Sequence, residues 1–108
     1  MQDPRCDKLA EVLTRHSTKL GRGENVLIEI FDAPDEMAVS LIRAARAAGA
    51  VPFVTVHHSR VGRELALGAT EAQMEVVRRV ELLRMKNMNA YIAVRGSCLL
   101  YTSPSPRD

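Results

Sequence analysis

Residues whose type and spacing could do chemistry are few in this chain, and they fall into three places. Glu29 interrupts the apolar, β-branched run Val26 to Phe31. A carboxylate in a strand covered on both faces is costly unless it is paired. Either one face of that strand is partly open, or a basic group reaches Glu29; a catalytic carboxylate is the sharper alternative. His57 and His58 end a second apolar run, PFVTVH, from Pro52. Adjacent side chains in an extended segment point to opposite sides, so the two imidazoles cannot share one metal while the strand continues. His16 lies on a helical stripe with no second ligand at i+3 or i+4, which favours an imidazole bonded to a neighbour over a metal ligand.

Two further patterns suggest chemistry and fail on position. Gly21-Arg22-Gly23 resembles a phosphate loop, yet it follows a helical pattern and precedes a strand, the reverse of a dinucleotide fingerprint. Arg78, Arg79, Arg84 and Lys86 form a basic cluster, but Glu71, Glu75 and Glu81 are interleaved with them. That alternation reads as a solvated charged face, with Glu75 and Arg79 able to pair at i+4.

The elements that must position these residues follow from periodicity. Asp3-Pro4 starts a helix whose apolar stripe is Leu9, Val12, Leu13, His16 and Leu20, and Gly21 stops it in a left-handed cap. Val26 to Phe31 is a strand. Asp32 is expected to cap the following helix, with Pro34 in its first turn, Met37, Leu41, Ile42, Ala45 and Ala48 inward, and Gly49 at its end. Pro52 to His57 is the second strand. Val61 to Leu67 reads as a short helix closed at Gly68. Thr70 and Gln73 make a capping box for a longer helix to about Met88, with Val76, Val77, Val80 and Leu83 on its apolar side. Ala90 to Val94 is the third strand.

Strands alternating with helices predict an α/β fold: three layers, a mostly parallel sheet with three strands present, and right-handed crossover helices. Three loops then meet at one sheet edge: Asp32 to Pro34, His57 to Arg60, and Arg95 to Ser97. Ligands of open α/β sheets bind at that edge. Asp32, His57 and Arg95 are therefore the candidate substrate-crevice residues. No catalytic or metal residue emerges, because there are no paired metal ligands, no nucleophile with an adjacent base and no phosphate loop.

The totals set bounds. The chain of 108 residues suits one modest domain, and its 46% hydrophobic content argues against disorder. A net charge of +2 favours neither nucleic acid nor an anionic membrane as partner. No apolar run approaches the roughly 18 residues of a membrane span, and MQDPRCDK has no signal-peptide core. Cys6 and Cys98 suggest reduced thiols in a cytoplasm.

The last stretch, Cys98 to Asp108, reads CLLYTSPSPRD and breaks the preceding register. It resembles the conceptual translation of a transposon-end sequencing adapter, TGTCTCTTATACACATCT and onward. On that reading residues 98–108 are a non-native tail, the natural chain is cut at about Ser97, the domain over residues 1–97 is incomplete, and Cys6 is its single cysteine.

The combination DPRCDKLAEVLTRHSTKLGRGENVLIEIFDAP, then LIRAARAAGAVPFVTVH, then MNAYIAVRGS, resembles the N-terminal domain of the thermophilic metallo-aminopeptidases, the aminopeptidase T family. The similarity covers residues 1–97 and is extended rather than confined to a short motif. It implies a homodimeric parent that removes N-terminal amino acids from peptides with two divalent metal ions (zinc, cobalt or magnesium). It also implies that the metal ligands lie in a C-terminal domain, so no catalytic or metal-binding residue carries over and this stretch binds none of the ions. The rival expectation is a small-molecule or nucleotide-binding module of flavodoxin-like or Rossmann-like shape. Against its nucleotide form stands the acidic turn Asp32-Ala33-Pro34 after the first strand, which repels phosphate.

Overall fold

The structure is a computed structural model that describes residues 4–96 and 101–102. Helix α1 (Pro4–Val12) runs into a π-helical turn, Leu13–Ser17. Strand β1 (Asn25–Phe31), helix α2 (Asp35–Ala47), strand β2 (Val51–His57), helices α3 (Ser59–Leu67) and α4 (Glu71–Lys86), and strand β3 (Ala90–Arg95) follow. A two-residue strand β4 (Tyr101–Thr102) pairs antiparallel to β3. The sheet order is β2-β1-β3-β4, with β1 central and parallel to both β2 and β3. This is the expected α/β architecture: an open, mostly parallel sheet with helical crossovers. Apart from Tyr101 and Thr102, the tail expected to be foreign lies outside the described residues, as does Ser97.

The strict period of two along β1 explains its two environments. Val26, Ile28 and Ile30 point to one face and join Leu13, Met37, Leu41, Ala45, Ile92 and Val94 in a fully buried core beneath α1 and α2. Leu27, Glu29 and Phe31 point to the other face. The connection from β1 to β2 and the one from β2 to β3 run in opposite directions across the sheet. The common right-handed sense puts them on opposite faces. Accordingly α2 lies on the core side, while α4 reaches the other face through Arg84, whose Nη1 donates to Thr55 Oγ1 at 2.7 Å.

Several local expectations are corrected. The buried stripe of α1 is Cys6, Ala10, Leu13, Thr14 and Thr18, while Val12 and His16 are exposed. The α-helical period of Cys6, Ala10 and Leu13 already turns Val12 outward; the π-turn, in which Thr18 N–H donates to Leu13 O at 3.0 Å, then adds a residue to the repeat and brings Thr18 rather than His16 inward. The left-handed residue after this helix is Lys19, φ 52°, not Gly21, whose N–H donates to Glu24 Oε1. Helix α2 begins at Asp35 with Pro34 as N-cap and no side-chain cap bond. Its end matches expectation: Gly49 has φ +84°, and a Cβ there would meet Arg22 Cγ at 2.7 Å. Thr70 Oγ1 accepts from Gln73 N–H, as the capping pattern predicts. Glu75 pairs with Arg78 at i+3 rather than with Arg79. The apolar side of α4 is not buried: Val76, Val77, Val80 and Leu83 are exposed.

Candidate functional site

Glu29 is the hub of the second face. Its register partners are Thr55 on β2 and Ala93 on β3. Alternation therefore brings Thr55 and His57 from one side, and Tyr91 and Arg95 from the other, onto the face that Glu29 occupies. Tyr91 OH donates to Glu29 Oε1 at 2.6 Å. His57 Nε2 lies 2.7 Å from Glu29 Oε2. Arg84 Nη2, descending from α4, lies 3.6 Å from the same oxygen and also pairs with Glu81 at 2.8 Å. Both conditions anticipated for a carboxylate in this strand hold together: the side chain keeps 14% of its exposure, and basic groups reach it.

The electrostatics follow from these contacts. Burial raises the Glu29 pKa, but the hydrogen bonds from Tyr91 and His57 and the charges of His57 and Arg84 outweigh it and hold the carboxyl below its ordinary value. Tyr91 is pushed well above the ordinary phenol range by burial, then by its hydrogen bond to Glu29 and the charge it faces. The phenol is thus a fixed donor. A carboxylate only accepts, so His57 must carry its proton on Nε2 for this bond, which leaves Nδ1 as the acceptor of the neutral ring. Arg84 Nε is buried without a hydrogen-bond partner, so its guanidinium is anchored through its two terminal nitrogens only.

At the carboxyl edge the described parts of the three expected loops converge. Phe31 stacks on His57 with ring centroids 4.5 Å apart and planes 7° from parallel. The Arg95 guanidinium carbon sits 4.1 Å from the centre of the Phe31 ring. In-register positions on three adjacent strands thereby form one imidazole–phenyl–guanidinium stack. Gly96 N–H donates to Phe31 O, and Asp32 N–H to His57 O, which ties the strand ends together.

Asp32 has a different role from the one expected. With φ 56° it turns its side chain away from α2, and its Oδ1 accepts from Ser59 N–H at 3.0 Å, the first residue of α3. That backbone bond is the main reason its carboxyl lies below the ordinary value. Of the three crevice candidates, His57 and Arg95 belong to one stack and Asp32 fastens α3 beside it. A cavity of about 300 Å³ lies between that edge and α3, lined by Phe31, Val56, His57, Ser59, Val61 and Leu65 among others.

No protein-family model matches the chain, and no curated protein matches it. What the site can do rests on its own groups. Among the described residues no group of three or more His, Cys, Asp or Glu is placed to hold a metal ion. The nearest candidates are already engaged: Asp32 by Ser59, and His57 Nε2 by Glu29. A two-metal centre does not fit these described residues. The edge presents a stacked aromatic surface, an imidazole oriented by Glu29 and a mostly apolar cavity.

Tyr91, Arg84, Thr55 and Phe31 were not singled out from the sequence as site residues. The signal for Tyr91 and Phe31 exists, since a period of two on parallel strands puts them on the Glu29 face. For Arg84 it does not, because helix α4 carries four equivalent basic residues.

Proposed function

We propose that residues 1–97 are the N-terminal α/β domain of a cytoplasmic metal-dependent aminopeptidase of the aminopeptidase T family, acting as scaffold rather than as the chemical centre. The reading is carried by the resemblance of the sequence over residues 1–97, and the parallel α/β sheet is compatible with it. In the parent, removal of N-terminal amino acids from peptides belongs to two divalent metal ions held outside this stretch, in a homodimer. The unpartnered apolar side of α4 and the exposed Phe53 and Val54 of β2 suit a domain that meets further structure in its parent.

The source locus tests this. The expected result is a reading frame that continues past Ser97 into clusters of Glu, His and Asp. A genomic frame that encodes CLLYTSPSPRD and stops overturns it. The 108-residue chain itself is expected to show no aminopeptidase turnover with zinc, cobalt, manganese or magnesium.

A second reading, a small-molecule-binding module, is favoured by one observation, the cavity at the carboxyl edge. Its nucleotide form is opposed by the acidic exit of β1, so titration with nucleotides is expected to give no heat.

A further inference from the structure

The cavity between the carboxyl edge and α3 has a composition that folding alone does not require. Val56, Val61, Leu65 and Phe31 give it apolar walls, and His57, His58 and Ser59 complete the lining, with His57 the imidazole that the Glu29 network orients. That imidazole is held more firmly than a surface histidine needs. Glu29 fixes Nε2, and Tyr91 and Arg84 fix Glu29 in turn. Phe31 fixes the plane of the ring. Pre-organisation of this kind is what a binding site spends structure on, because a locked side chain loses little entropy when a ligand arrives.

We propose that this cavity binds a small planar aromatic molecule carrying a ring N–H or O–H donor, packed among Val56, Val61 and Leu65 and donating to His57 Nδ1. The chemistry is set by three features. The walls are mostly apolar and the volume, about 300 Å³, suits one or two fused rings. The existing stack of Arg95, Phe31 and His57 presents aromatic surface at the site. The ring nitrogen outside the Glu29 bond is an acceptor in the neutral imidazole, so the ligand must bring the proton. The inference rests on the cavity and its imidazole, not on the peptidase reading of the parent, and each stands or falls without the other.

Indole and N-methylindole are the probes, titrated into the 108-residue chain and followed by amide chemical shifts. Saturable shifts are expected at Phe31 and across Ser59 to Leu65, with indole binding about fivefold tighter than its methylated form, the worth of one hydrogen bond. His57→Phe keeps a ring in the stack and removes the acceptor; it is expected to abolish the preference while retaining binding of both probes. Leu65→Trp, at an exposed position that tolerates bulk, is expected to fill the cavity and abolish the shifts. Absence of saturable shifts with indole overturns the proposal. So does a preference for indole that survives His57→Phe, or binding that is unchanged in Leu65→Trp.

Discussion

The two faces of one sheet are held by different physics. On the α1/α2 side, Val26, Ile28, Ile30, Ile92 and Val94 are excluded from water and pack against Leu13, Met37 and Leu41. That face is a close-packed apolar core, and its stability comes from burial and dispersion. On the other side the same three strands present Glu29, Thr55, His57, Tyr91 and Arg95, organised by hydrogen bonds and stacked rings. The apolar face tolerates neither lost volume nor an unpaired polar group. The polar face depends on each group keeping its partner. The chain thus separates what folds it from what it can present to a ligand, using only the alternation of a β-strand.

The largest expected effect lies on the apolar face. Leu41→Ala removes a fully buried side chain and is expected to cost about 2–5 kcal/mol in urea unfolding, depending on how far the cavity collapses. A cost near zero would mean that the core is not close-packed and would erase the contrast between the faces.

Glu29→Ala comes next. It strands the Tyr91 hydroxyl and the His57 Nε2–H and is expected to cost about 1–3 kcal/mol, the penalty of unsatisfied, partly buried donors. The same network predicts a pH dependence. The folded-state pKa of Glu29 lies below its ordinary 4.5, so its contribution is fully present above that value and is lost as pH falls through the folded value. Glu29→Gln is expected to flatten this acid limb, and the stability difference between wild type and variant should shrink on acidification.

The smallest effect is expected on α4. Leu83→Lys, at an exposed position, is expected to change the stability of this chain by no more than about 0.5 kcal/mol. A larger loss would show that the apolar side of α4 packs within the chain after all, and the two-face contrast would become a three-layer core.

The sequence made the element order and the parallel sheet legible because strands and helices alternate with clear periods. It also marked Glu29 as a charge in need of a partner. It did not reveal which partner, because Tyr91 and His57 are remote in sequence and meet Glu29 only through register. Arg84 was hidden among neighbours of the same type. Asp32 was misassigned for a physical reason: a local helix is the default client of an acidic turn, but a left-handed backbone at Asp32 redirects its side chain to α3. Past Leu13 the α1 stripe slipped because a π-turn changes the repeat, and no residue type announces it.

The polar face holds the His57 ring in one orientation through Glu29. Long-range proton–nitrogen correlation of the His57 imidazole, recorded where the ring is neutral, tests this most directly. A single tautomer protonated at Nε2 is expected in the wild type, with that preference lost in Glu29→Gln. A ring protonated at Nδ1, or a mixture of tautomers unaffected by the substitution, would contradict it.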